Sequence, residues 1–178
     1  MVQFIGRERE LRELAQEYAT NRASLVVISG RRRIGKTALI EQFGQSYTLY
    51  KFTGLAPSSG MTTQVQRDEF SRILETEFDL FGIKNDDWAT LFILLARQVA
   101  NKKVVILFDE ISWMAHQDSS FLSKLKTVWD DYFSKNAKLM LVLCGSVSSW
   151  IEHNILSHTG YLEIHTGTFR DDGSVELR

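Results

Sequence analysis

The run Gly30-Arg31-Arg32-Arg33-Ile34-Gly35-Lys36-Thr37 places glycines, a lysine and a hydroxyl at fixed spacing. It fits G-x-x-x-x-G-K-[ST]. Glycines let the backbone turn tightly and approach a ligand closely. Successive backbone N–H groups then form a concave nest for anions. A helix starting at the same point adds free N–H groups and a positive dipole end. Lys36 can reach terminal phosphates there, and the Thr37 hydroxyl can ligate Mg²⁺. Farther along, Asp109-Glu110 closes the most apolar run of the chain, Lys103-Val104-Val105-Ile106-Leu107-Phe108. Such a run is expected of a parallel strand covered on both faces. Carboxylates at its C-terminal end stand where open α/β sheets place their ligands. Beside a phosphate loop the first acid, Asp109, holds hydrated Mg²⁺, the arrangement called Walker B.

These residues need a scaffold, and the surrounding pattern supplies one. Ser24-Leu25-Val26-Val27-Ile28-Ser29 is a short apolar run that reads as a buried strand leading into the loop. Thr37-Ala38-Leu39-Ile40-Glu41-Gln42-Phe43 reads as a helix stopped at Gly44. Before the loop, Leu11, Leu14, Ala15 and Tyr18 fall on one helical face. After it, Tyr47-Thr48-Leu49-Tyr50-Lys51-Phe52-Thr53 reads as a second strand, and Gly54 to Gly60 as a loop containing Pro57. Thr63 and Gln66 have capping-box spacing ahead of an amphipathic helix through Phe70, Ile73, Leu74, Phe78 and Phe81. Asp86 or Asp87 caps a helix striped by Trp88, Leu91, Phe92, Leu95 and Val99, and these stripes read as core. Asp118 or Ser119 opens another, with Leu122, Leu125, Val128, Trp129 and Tyr132. Ala137 to Ser146 is a fourth buried strand, and residues 147–156 read as helix. Strands alternating with helices predict a parallel α/β sheet. The last stretch alternates around an Asp172-Gly173 turn, which predicts a hairpin or a frayed tail.

Composition bounds the partners. The chain has 178 residues, 44% hydrophobic and 24% charged, with a formal net charge of −1. That is an ordinary soluble domain, and DNA as a partner finds no support in the net charge, although a local basic patch stays open. Cys144 is the only cysteine, so no intrachain disulfide forms, which fits a reducing compartment. No apolar signal region opens the chain, and no apolar run reaches the ~18 residues of a membrane helix. The expected location is cytoplasmic, away from membranes. Pro57 is the only proline, and no repeat or low-complexity linker marks a second domain.

Phe4-Ile5-Gly6-Arg7-Glu8, the loop from Gly30 to Thr37, Leu107-Phe108-Asp109-Glu110 and Leu143-Cys144-Gly145-Ser146 follow one another in this order. Together they resemble the ATPase core of archaeal and bacterial AAA+-like ATPases, relatives of the signal-transduction ATPases with numerous domains. The resemblance implies a three-layer P-loop NTPase fold, with a mostly parallel central sheet and helices on both faces. In it the strand ending at Cys144 lies between the phosphate-loop strand and the Asp109 strand. It implies ATP and Mg²⁺ as cofactors. The nucleotide would be held by Gly30, Arg31, Arg32, Arg33, Ile34, Gly35, Lys36, Thr37 and Ala38, with Phe4, Ile5, Gly6 and Arg7 beside the adenine. Thr37 and Asp109 would take the metal. Lys36, Glu110 and Ser146 would be the catalytic set, Glu110 polarising the attacking water and Ser146 in the sensor position. Chemistry agrees for Glu110, since a carboxylate next to the metal ligand can orient a nucleophile. A serine ending a strand can equally be a helix cap.

The departures shape the expected activity. Gly160 is followed by Tyr161-Leu162-Glu163 where the family carries an arginine. Residues 1–158 then form the ATPase core, and 159–178 an atypical hairpin or tail without the family's lid and C-terminal domain. The expectation is an ATP-binding module that hydrolyses ATP slowly as a switch, with an arginine supplied by a protein partner or a second copy. The alternatives are a nucleotide-dependent binding protein without turnover, perhaps on DNA, and a small P-loop kinase. Glu110 and the lack of an arginine-rich lid rank the kinase low. His116, His153, His158 and His165 have no metal-ligand spacing. Cys144 and Trp113 read as core, and the side chains of Arg31, Arg32 and Arg33 as solvated.

Overall fold

The computed structural model describes residues 7–145 in full, and the backbone of three strands at 162–165, 168–169 and 175–176. Phe4, Ile5, Gly6, Ser146, the helix expected over 147–156 and the Asp172-Gly173 turn lie outside the described residues. Helix α1 (Glu8–Tyr18) precedes strand β1 (Ser24–Ser29), and α2 (Lys36–Gly44) precedes β2 (Thr48–Thr53). Helices α3 (Thr63–Phe78) and α4 (Trp88–Gln98) lead to β3 (Val104–Asp109). Short α5 (Ile111–Met114), α6 (Phe121–Asp131) and a 3₁₀ turn (Phe133–Lys135) lead to β4 (Leu139–Cys144). Three more strands follow: β5 (Leu162–His165), β6 (Thr168–Phe169) and β7 (Val175–Glu176).

The main sheet has the order β2-β3-β4-β1-β5, and every pairing in it is parallel. β4 lies between β1 and β3, the order the resemblance implies. Side chains alternate across the strands, so each strand feeds two cores. On one face Val27, Phe52, Ile106, Phe108 and Leu141 pack against α3, α4 and α6. On the other Val26, Ile28, Leu107, Val142 and Cys144 pack against Leu14 of α1 and Leu39, Ile40 and Phe43 of α2. The chain is a three-layer α/β fold with helices on both faces of a parallel sheet.

Aromatic packing holds the first face. Phe70 is 2% exposed and stacks on Phe52 at 4.4 Å between ring centroids. It meets Trp88, Phe92 and Phe108 edge-on. A Phe→Ala truncation in such a core costs about 3–5 kcal/mol.

Several expectations are corrected. The run at Leu162–His165 is not one arm of a terminal hairpin: it pairs in parallel with β1, Val26 opposite Leu162 and Ser29 opposite His165. Its alternating pattern serves a place at the sheet's edge, and the sheet runs past residue 158. The hairpin is smaller, with Thr168–Phe169 antiparallel to Val175–Glu176. The α3 cap is Thr62, whose side chain accepts from Val65 N at 3.2 Å. Gln66 is not a capping-box partner: buried, it donates to Leu55 O at 2.8 Å and accepts from Leu55 N at 2.9 Å. Phe81 is 88% exposed because α3 ends at Phe78 and Asp79 turns left-handed. Asp87 is the α4 cap, accepting from Thr90 N. Ser120 stands at the N-cap of α6, and Asp118 accepts from its amide and hydroxyl. Among the described residues no helix is long and apolar enough to cross a membrane.

Candidate functional site

β1 ends at buried Ser29, and the chain turns through Gly30, Arg33 and Gly35, all with positive φ. Gly35 has open space around its would-be Cβ, so its φ of 82° is what favours glycine. It caps α2, which therefore begins at Lys36 with its N-terminus facing the loop. Lys36 is 7% exposed. Its Nζ donates to Gly30 O at 2.9 Å and to Arg31 O at 2.7 Å. Burial pulls its ammonium below the ordinary lysine range, while Cys144, Glu110 and Asp109 pull the other way. The ammonium thus rests on neutral carbonyls, which an anionic ligand can replace.

Thr37 and Asp109 meet although they are far apart in sequence. Thr37 Oγ1 donates to Asp109 Oδ2 at 2.8 Å, and Glu110 N donates to Asp109 Oδ1 at 3.0 Å. Asp109 is 6% exposed, at the C-terminal end of β3. Glu110 turns left-handed, φ 50° and ψ 49°, to start α5. A non-glycine residue held there costs on the order of 1–3 kcal/mol. Its Oε2 is buried without a hydrogen-bond partner among the described residues. The turn is clamped from the side, where Gly54 N donates to Asp109 O at 2.9 Å. A Cβ on Gly54 would lie 2.6 Å from Glu110 O and 2.7 Å from Met114 N.

Arg32, Arg33, Gly35, Lys36, Thr37, Ala38, Glu41, Asp109 and Glu110 line one cleft of about 380 Å³. That volume is within the usual range for small-ligand sites. The hydroxyl of Thr37 and the carboxylate of Asp109 are hard oxygen donors in contact. This set fits Mg²⁺, which takes few protein ligands and leaves other positions to water and phosphate. Among the described residues no group of three or more His, Cys, Asp or Glu could hold a metal alone.

Other side chains stand elsewhere than expected. Arg31, Arg32 and Arg33 are all exposed, with Arg32 lying over the Trp113 ring at 4.5 Å, and Trp113 is half-buried rather than core. Arg7 sends Nη2 to the carbonyl of Ile34 in the loop. Cys144 is fully buried, and burial first, then the nearby Asp109 charge, pushes its thiol up. Lys51, Glu41 and Gly54 escaped the sequence reading as site residues. Lys51 Nζ lies 2.8 Å from Glu41 Oε1 and 4.0 Å from Asp109 Oδ2. A lysine inside an otherwise apolar and aromatic strand was the available signal for it. Gly54, directly after β2, was the signal for a close backbone approach.

Known proteins resemble this chain in sequence and in fold. A family model described as an ATPase domain predominantly from Archaea matches residues 4–171. An uncharacterised protein of Methanocaldococcus jannaschii is 26% identical over 175 residues, covering 94% of this chain and 37% of that protein. The Walker-type ATPase of Pyrococcus abyssi has a similar fold, with TM-score 0.65 and 16% identity, over 96% of this chain and 56% of that one. Cdc6p of Pyrobaculum aerophilum gives TM-score 0.65 and 16% identity over 97% of this chain and 48% of its own. The chain thus spans 37% of the curated relative and about half of each solved structure. With that family's pattern matched over residues 4–171, nearly the whole of this chain, the chain belongs to the predominantly archaeal family of ATPase domains.

Proposed function

We propose that this chain binds Mg·ATP in the cleft above α2 and hydrolyses it slowly, as a nucleotide-dependent switch. The observation that carries this reading is the contact between Thr37 Oγ1 and Asp109 Oδ2, in the same cleft as Lys36 and Glu110. The Gly35, Lys36 and Thr37 amides at the start of α2 receive the phosphates, helped by the helix dipole. Lys36 exchanges its bonds to Gly30 O and Arg31 O for β- and γ-phosphate oxygens. Thr37 and Asp109 would hold the metal, and when bound it would neutralise charge building on the phosphates. Glu110 orients the attacking water and takes its proton as the phosphorus–oxygen bond to ADP breaks. Its left-handed backbone sets the side chain one residue beyond the metal ligand, and its buried, unpartnered oxygen leaves an acceptor free for that water.

Turnover is slow because, among the described residues, the site has no committed second cation beside Lys36. Arg32 is engaged on Trp113, and Tyr161-Leu162-Glu163 stands where the family carries an arginine. An arginine donated in cis or in trans is worth on the order of 10³–10⁵ in rate. Single-turnover phosphate release at saturating Mg·ATP is expected well below ~1 s⁻¹, the low end of common turnover. A rate that rises with protein concentration would support an arginine donated between molecules. A rate far above ~1 s⁻¹ at any dilution would contradict the slow switch.

A further inference from the structure

Arg7 has an unusual place. Its backbone is left-handed, φ 64°, and its carbonyl accepts from Leu11 N at 3.0 Å, so it begins α1. Its side chain leaves that helix and crosses to the phosphate loop, where Nη2 donates to Ile34 O. Nη1 faces Glu10 Oε1 at 3.9 Å, and the two side chains are only 17% and 7% exposed. Arg7 Nη1 and Glu10 Oε2 are buried without a hydrogen-bond partner among the described residues. Burying such a pair costs more than a surface ion pair would, and the pair adds little stability in return. Among the described residues, the pair's one side-chain hydrogen bond is to a carbonyl of the ligand loop.

That contact bears on the opposite side of the same peptide unit. In a trans peptide the C=O and the following N–H point in opposite directions. A charged donor on Ile34 O therefore polarises the unit that carries the Gly35 N–H, and Gly35 lines the cleft. The guanidinium also lies close enough to Lys36 to oppose its positive charge, so it adds to the field an anion would meet. We infer that Arg7, oriented by Glu10, is a positioning residue for the polyphosphate: it braces and polarises the loop from behind and does not contact the adenine. The inference rests on the nucleotide-binding reading above.

Paired calorimetry with Mg·ATP and with inorganic tripolyphosphate separates the roles. Arg7→Gln should weaken both ligands by the same factor, roughly tenfold, the loss of one charge-assisted hydrogen bond. Arg7→Lys should recover part of both. Glu10→Gln, which keeps the shape but releases Arg7, should weaken both by a smaller common factor, and it keeps the test alive if Arg7→Gln does not fold. Loss of ATP affinity with tripolyphosphate binding intact would overturn the inference in favour of a base contact. Unchanged binding of both ligands by the folded variants would also overturn it, while leaving the nucleotide reading standing. Wild-type chain that binds neither probe overturns both.

Discussion

Asp109 and Glu110 are adjacent, yet their surroundings ask different things of them. Asp109 is buried and already holds Thr37 Oγ1 and Glu110 N, so it is fixed in place. Glu110 has a buried oxygen with no hydrogen-bond partner among the described residues. Asp109→Asn keeps an oxygen for one of those bonds but loses the charge a metal needs. It should weaken the Mg²⁺-dependent part of ATP binding. Glu110→Gln should keep Mg·ATP binding and lose hydrolysis. Titrations with and without EDTA, combined with phosphate release, read the two effects separately, and identical behaviour of the variants would sink the division of roles. At this scale the sequence was most informative where spacing alone defines the chemistry, as in Gly30 to Thr37 and in Asp109-Glu110. It placed Arg7 and Arg32 near the nucleotide but did not give their contacts, and it passed over Lys51, because these partners lie across the fold. Arg7 and Ile34 are 27 residues apart, and no local pattern reports such a contact.

Among the elements, the turn from β3 into α5 sets the position of Glu110, and Gly54 is its wall. Gly54→Ala would place a methyl group against backbone on both sides, Glu110 O and Met114 N. Overpacking of this kind costs typically about 1–3 kcal/mol, and here the relief must come from moving Glu110. The expected outcome is a lowered melting temperature and a larger loss in hydrolysis than in Mg·ATP affinity. An unchanged melting temperature with full hydrolysis would show that the turn is not clamped there. The strands and most helices were legible because burial imposes a period: β3 and β4 are buried at every position, and α4 carries an unbroken apolar stripe. Side chains that bind backbone were not. Thr63 and Gln66 have the spacing of a capping box, but Thr62 takes the cap and Gln66 pairs with Leu55, since a buried amide needs both its donor and its acceptor met. Phe81 continues the α3 periodicity, but a left-handed Asp79 ends the helix first.

The whole molecule is a parallel sheet whose strand order brings sequence-distant residues to one edge. β1 and β3 are separated by β4, so the loop after β1 and the acids after β3 flank a cleft at the strands' C-terminal ends. Periodicity cannot give that order, because each buried strand looks alike from its own sequence; the family resemblance carried by the motifs implied it. The stretch from Leu162 was harder to place. It has only four strand residues with an alternating pattern, and an edge strand paired on one side through β1 leaves the same trace as a hairpin arm. The central claim is that Lys36, in this fold, is the cation reserved for the terminal phosphates. Isothermal titration of Mg·ATP into the wild-type chain and into Lys36→Ala tests it most directly. A charge-assisted contact of about 1.5–3 kcal/mol predicts a roughly ten- to a hundredfold loss of affinity in the variant, with the fold intact by circular dichroism. Equal affinity of the two chains for Mg·ATP would contradict the assignment of the loop, and with it the site described above.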